Sequence, residues 1–380
     1  MTLLPVRNPI YMVPNYSVTG DILSFSRCGL QYRYLNGSSL PPSRPVQMWF
    51  GEFIHGVLEL ATRYFQEGHF GSLPWDSAQI DSQICAPVVA RLATEGKTPR
   101  SRAAEENARN RALVAINQLG PDLFPLVEAA EVSVSGTRRM PPNTQYRASY
   151  FEITGRIDLV TSFRLDDFKP EENPIVDAIR AMVPEESAND PFEVLVDYKG
   201  TRRPSTSSDE WQLYERQLQT YAWLRQRQPN SLPVVAGLVI FVNELLPTTS
   251  DMTKLGVDIN KGETDVIPEP NSLDQQIVLG TRHGDSPFGL SWGYRLARAL
   301  RVVPVDDANQ KDALDRFDGI VEQIESSVDQ ELSSGSIQQS WTPRPVDETC
   351  VACDFQTVCP MSPYLGPALA PLGRRSPDDF

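Results

Sequence analysis

With 380 residues, 40% hydrophobic and 22% charged, the chain has the composition of an ordinary globular protein, long enough for one large domain or two modest ones. Its most apolar run, Pro233 to Val242, is far too short to cross a bilayer, and Met1–Pro5 does not open a signal peptide, so a cytoplasmic protein with no membrane partner is expected. The net charge of −14 excludes broad electrostatic coating of nucleic acid. Segments 165–193 and 306–331 each hold nine acidic residues against two basic ones and account for the whole imbalance, so binding in a local groove stays open.

Tyr16 to Leu35 reads as a short helix opened by Ser17-Val18-Thr19-Gly20-Asp21, with Cys28 inside it and Tyr32 and Tyr34 after it. Phe50 to Phe65 is a clear amphipathic helix, with Phe50, Ile54, Val57, Leu58, Ala61 and Phe65 on one face. His55 lies at the edge of that stripe, where on its own it reads as a core-edge histidine bonded to a backbone carbonyl. His69 and His283 sit beside glycines and receive no role. Residues Ser77 to Leu119 read as helical, broken near Gly96–Pro99, with Cys85 a buried thiol. Arg100, Arg102, Arg109 and Arg111 could face phosphates, but Glu105 and Glu106 among them favour a solvated helix face.

Glu131-Val132-Ser133-Val134-Ser135 alternates with strand period and should begin a sheet. Phe151–Val160 is a second strand, in which Asp158 is flanked by Ile157, Leu159 and Val160 and therefore needs a partner. The acidic, proline-rich stretch 165–193 looks like a solvated excursion with one helix at Ile175–Met182. Val194–Gly200 is a third strand, and its Asp197 and Lys199, two apart, point into the same volume. Side by side, the two strands would join Asp158 to Asp197, and two carboxylates in one site call for a metal. The polar loop Thr201–Ser208 could contact a phosphate backbone. The helix Asp209–Gln226 places Gln217 and Tyr221, four apart, on one face, and Pro233–Val242 is a buried strand. Asn243–Pro304 offers few periodic signals, Asn309–Leu332 is a charged amphipathic helix, and the tail 361–380 should be mobile.

Three of the five cysteines form Cys350-x2-Cys353-x5-Cys359, a spacing that indicates a metal or cluster rather than disulfides. Three thiolates leave a tetrahedral site one ligand short, and Cys28 is the candidate fourth. From the spacing alone, a structural zinc and an iron–sulfur cluster fit about equally.

A strand ending Gly155-Arg156-Ile157-Asp158, a strand ending Asp197-Tyr198-Lys199, and a helix with Gln217-x3-Tyr221, all bracketed by these cysteines, resembles the PD-(D/E)XK nuclease superfamily. The similarity is to its RecB-like branch, with the AddB-type recombination nucleases and the CRISPR adaptation nucleases, and it covers the entire chain. It implies a restriction-endonuclease-like α/β core, a mixed sheet flanked by helices, within a single domain 1–360. That domain would comprise a helical part at about 16–120, a catalytic core at about 130–243, and a C-terminal part at about 244–360 that closes the cysteine site. The resemblance also implies that His55, in a G-x-x-x-H setting, joins Asp158, Asp197 and the Tyr198 carbonyl in binding Mg²⁺ or Mn²⁺. Lys199 would act with Asp158 and Asp197 in catalysis, oriented by Gln217 and Tyr221. Cys28, Cys350, Cys353 and Cys359 would hold a [4Fe–4S] staple. The implied activity is exonucleolytic cleavage of single-stranded DNA or DNA ends in repair, recombination or CRISPR adaptation, with a helicase or recombination partner on a separate chain. Two other readings stand beside it: a non-catalytic iron–sulfur or zinc DNA-binding subunit of a helicase–nuclease assembly, and a zinc-stabilised scaffold that binds through its acidic segments.

Overall fold

The computed structural model describes residues 13–37, 45–142, 148–183, 190–280, 289–346, 350, 353–356 and 359–362. Its main elements are β1 (Asn15–Ser17), α1 (Gly29–Gly37), α2 (Pro45–Gln66), α3 (Ala86–Thr94), α4 (Arg102–Val114), β2 (Val127–Arg139), β3 (Tyr150–Phe163), α5 (Pro174–Arg180), β4 (Phe192–Lys199), α6 (Asp209–Arg225), β5 (Val234–Phe241), α7 (Thr249–Lys261), α8 (Trp292–Ala299), β6 (Leu300–Pro304) and α9 (Asp307–Ser334). The strands pair both parallel and antiparallel and are accompanied by helices, the mixed α/β class expected. The chain divides into two compact units, one of Pro45–Gly136 and Gly155–Leu314, the other of Met1–Arg44, Thr137–Thr154 and Asp315–Phe380.

In the larger unit, β4 lies between an antiparallel β3, with Leu159 opposite Val196, and a parallel β5, with Asp197 opposite Val239; β6 runs antiparallel to β5. Phe192 to Tyr198 are all buried, as in a central strand covered on both faces. The pleat then sorts its side chains. Val194, Val196 and Tyr198 join a core that includes Phe53, Ile54, Val57 and Leu58 of α2, whereas Asp197 and Lys199 emerge on the opposite face, toward α6. The approach of α6 to the sheet requires glycine at 237, where a Cβ would come within 2.7 Å of Leu218.

Several expectations need revision. Residues 243–304, which carry few periodic signals, form α7, α8 and β6. Strand β6 escapes a hydropathy reading because Arg301 lies in its middle, buried against Asp265 and stacked over Trp211. The helix in the acidic stretch is α5, and its Ile175, Val176 and Ile179 enter the core instead of riding in solvent. The loop after β4 does not offer its arginines to phosphate: Arg202 pairs with Asp258, and Arg203 is buried with Asp265. Arg109 and Arg111 are likewise committed, to Glu105 and Asp251, so the solvated face expected there is partly an internal one.

In the smaller unit, β1 runs parallel to the start of β3, with Asn15 opposite Glu152. Cys28 is not inside a helix, as expected, but at an extended residue between Ser24–Arg27 and α1, and this break turns its side chain out of the helical register. From Asp315 onward, α9 buries Phe317, Val321, Ile324 and Val328, and also Glu325 and Glu331. Glu331 accepts both Arg33 nitrogens and the Trp341 indole at 2.6 Å, and Glu325 meets Tyr16. The tail expected to be mobile falls, from 363 on, outside the described residues.

Candidate active site and cysteine cavity

Two linked constellations form on the larger unit's sheet. In the first, His55 on α2 sets Nδ1 3.2 Å from Asp158 Oδ1, and the other Asp158 oxygen accepts the Tyr198 backbone N–H at 2.8 Å. The Tyr198 ring itself points into the core, edge-on to His55 at 6.2 Å. In the second, Lys199 Nζ lies 2.6 Å from Asp197 Oδ2 and donates to Gln217 Oε1 at 3.0 Å, while Gln217 Nε2 donates to Asp197 Oδ1 at 2.8 Å. The ammonium also sits 4.7 Å from the centre of the Tyr214 ring. The Tyr221 ring packs against Gly155 of β3, and its hydroxyl lies near the Gln217 side chain and the Arg156 backbone, which seats α6 against β3. The triangle Asp197–Lys199–Gln217 thus closes on itself.

Two close approaches make this geometry possible. At Gly155 a Cβ would lie 2.5 Å from the Tyr221 ring, and at Gly200 one would lie 2.8 Å from Phe50, one turn before His55 on α2. The glycines of G-R-I-D and D-Y-K-G are therefore steric requirements of the site.

A further residue joins that the sequence reading left as plain strand. Ligand atoms of His55, Glu131 and Asp158 all lie within 4.8 Å of one another. Glu131 is in β2 with φ of 54°, a left-handed conformation that costs a non-glycine residue about 1–2 kcal/mol and swings its carboxylate toward Asp158. A charged residue opening an apolar strand was the one signal available in the sequence. Its left-handed backbone was not legible there.

The electrostatics are those of crowded, buried acids. Burial by itself lowers the His55 pKa, but Asp158, through charge and hydrogen bond, and then Asp197 outweigh it and hold the imidazole at about 9. Burial and the neighbouring Asp158 push Asp197 up despite Lys199, and burial with Asp158 also raises Glu131. Asp158 falls below the ordinary carboxylate range because His55, the Tyr198 N–H and Lys199 outweigh its desolvation. Three carboxylates and an imidazole of this kind fit a hard divalent cation, which would relieve their repulsion. Of the expected ligands, His55 and Asp158 stand together with Glu131, and Asp197 meets Lys199 and Gln217.

The smaller unit holds a separate site. Cys28, Cys350, Cys353 and Cys359 line one cavity, together with Tyr34, Arg344 and Phe355. The backbone N–H groups of Arg344 and Phe355 donate to Cys28 Sγ and Cys353 Sγ, each at 3.4 Å. Burial, and the proximity of the other three sulfurs, pushes the Cys353 thiol up. Thiols drawn together in this way suit a cation that would deprotonate them. Cys85, by contrast, is alone in the larger core with its pKa pushed up to about 12 by burial, as an inert thiol should be.

The model of the PD-(D/E)XK nuclease superfamily matches residues 19–178 and 185–360. No curated protein matches the chain. Among solved structures, that of SSO0001 aligns with 80% of this chain and 97% of its own at 10% identity, with a TM-score of 0.27.

Proposed function

The chain belongs to the PD-(D/E)XK nuclease superfamily, and we propose that it is a Mg²⁺- or Mn²⁺-dependent deoxyribonuclease that degrades single-stranded DNA or DNA ends. The observation that carries this reading is the Asp197–Lys199–Gln217 triangle beside the His55/Glu131/Asp158 cluster. A divalent ion held by that cluster would supply the Lewis acid and the acidified water that phosphodiester hydrolysis requires. Lys199 presents its ammonium to the charge that develops on the phosphoryl oxygens. Asp197 and Gln217 hold it in place from two sides, and Tyr221 braces Gln217. Asp197, Lys199 and Gln217 already hold one another in the free chain, and fixed charges contribute most when they are preorganised.

In the same reading, the four cysteines hold a [4Fe–4S] cluster that staples the early and late segments of the smaller unit. The convergence of Cys28 with three cysteines more than three hundred residues later supports it. A cluster bound there would serve as a structural cross-link. The setting we favour is DNA repair, recombination or CRISPR adaptation, alongside a separate unwinding protein.

The test is anaerobic purification, iron, sulfide and zinc content, and incubation with DNA labelled at either end, with and without Mn²⁺. The expected result is a brown protein with about four irons per chain that degrades linear single strands only with the ion and leaves circular ones intact. DNA that stays intact with every divalent ion overturns the enzymatic reading, and tight binding without cleavage would then favour a non-catalytic subunit. A colourless protein with one zinc overturns the cluster alone.

A further inference from the structure

This inference deepens the nuclease reading and rests on it. It concerns Arg156, which no part of the catalytic argument uses except through its backbone. Arg156 stands two residues before Asp158 on β3 and so shares its face. Its side chain is 65% exposed, unusually open for a group whose Nε lies 2.5 Å from a half-buried carboxylate, Glu131 Oε2. The same Glu131 offers an oxygen to the His55/Asp158 cluster. Glu131 is therefore shared by two cationic positions, the guanidinium and the candidate ion-binding cluster.

The two positions compete. A carboxylate that already accepts a charge-assisted hydrogen bond is a poorer ligand, and a guanidinium held so close repels a divalent cation. In turn, a cation that draws on Glu131 weakens the pair and leaves an exposed, planar donor beside the place where a phosphodiester would meet the ion. A guanidinium matches two phosphate oxygens at once. The Arg156 backbone is part of strand β3, so its side chain is the part left to swing.

We propose that Arg156 is a phosphate contact for the nucleic-acid strand, held by Glu131 in the metal-free protein and released to the strand when an ion occupies the His55/Glu131/Asp158 cluster. Arg156 thereby couples metal loading to substrate binding.

The proposal predicts effects of opposite sign from one substitution. In calorimetric titration of the full chain with Mn²⁺ alone, Arg156→Ala should bind the ion about tenfold more tightly than the wild type. With Ca²⁺ present, the same variant should bind a fluorescent single-stranded oligonucleotide more weakly, and the slope of log affinity against log salt should fall by about 0.7, the value of one phosphate contact. Arg156→Lys should recover part of the strand affinity without recovering bidentate binding. A bracing role for Arg156 would instead leave Mn²⁺ affinity unchanged or weaken it and would not move the salt slope, and either result overturns the proposal. Wild-type protein that binds neither Mn²⁺ nor the strand would sink the nuclease reading and this one with it. Wild-type protein that binds both, beside a variant with unchanged Mn²⁺ affinity, sinks only the role of Arg156.

Discussion

The two constellations of this protein are built on opposite plans. Around Lys199, the ammonium already meets an acid, an amide and a ring face. Around the cysteine cavity, the described contacts to sulfur are two long N–H bonds, to Cys28 and Cys353. The first plan fixes charges before substrate arrives. The second gathers four thiols around one cavity with few polar contacts of their own among the described residues. What the smaller unit has independently of its cysteines is the buried Arg33–Glu331–Trp341 knot, with both ionic side chains only 2% exposed. The comparison teaches that the polar groups around Lys199 are fixed by contacts within the chain, whereas the smaller unit sets a cavity lined by four cysteines beside a buried ion pair.

The sharpest way to break the comparison is to remove one corner of the triangle. Lys199→Ala should lower single-turnover cleavage by roughly 10²–10³-fold, the scale of losing one preorganised charge at a transition state. Because Asp197 then lacks its cation, its carboxyl rises further and Mn²⁺ finds an easier site, so metal affinity should hold or increase while the rate collapses. A fall in both would mean that Lys199 chiefly supports the fold. At the other constellation, Cys28→Ser should leave less iron or zinc bound and a lower unfolding temperature. If the cysteines are only structural, residual cleavage per folded molecule should stay near that of the wild type.

The ion-pair knot comes next in size. Glu331→Ala removes the carboxylate that pairs with the buried Arg33 and accepts the Trp341 indole N–H, and should cost roughly 3–5 kcal/mol in urea unfolding of the smaller unit. Arg33→Met together with Glu331→Leu should be far milder, since no unpaired charge remains. If the single variant proves as mild as the double, the knot contributes little and closure depends on the cysteine site after all.

How much of this was legible in the sequence follows the same division. The strands carrying Asp158 and Asp197 announced themselves by apolar runs interrupted by one carboxylate, and the pleat then dictated that Asp197 and Lys199 share a face. Helical spacing put Gln217 and Tyr221 on one face and left His55 at the edge of an apolar stripe; their site roles came from the resemblance of the strand and helix motifs to the nuclease superfamily. What stayed hidden were features made by tertiary contact. Arg301 and Arg298 look like surface residues until Asp265 and Glu244 are placed beside them. Glu131 looks like the start of an ordinary strand, because its backbone twist has no signature in residue type. Ile175, Val176 and Ile179 are too few, in too acidic a stretch, to declare themselves as core.

A smaller perturbation probes the glycine that admits Tyr221. Gly155→Ala places a Cβ where the Tyr221 ring now lies, at 2.5 Å, so the ring must shift. Overpacking of this kind costs about 1–3 kcal/mol, and the shift should reach Gln217 and through it Lys199. The expected result is a loss of rate larger than the loss of stability would explain, with little change in substrate affinity. Tyr221→Phe in the same background should not worsen the steric problem, so a further fall in rate on that change would isolate the contribution of the hydroxyl.

The smallest effect, and the one that separates the two plans most cleanly, is the response to pH. His55 titrates at about 9 in the metal-free protein, above its ordinary value of 6.5. A folded-state pKa that is raised means that the imidazolium stabilises the fold fully below about 6.5, and this contribution is lost as pH climbs through 9. A divalent ion needs the neutral ring, so binding must displace a proton throughout that window. The unfolding temperature without metal should therefore drift down by a few degrees between pH 6.5 and 9, while the increment produced by Mg²⁺ grows over the same range. Scanning calorimetry at pH 6.5, 7.5 and 8.5, with and without Mg²⁺, checks both trends. His55→Gln should remove the downward drift and flatten the increment. An increment that stays constant in the wild type would place His55 outside the ion's ligands and leave the acids alone to hold it.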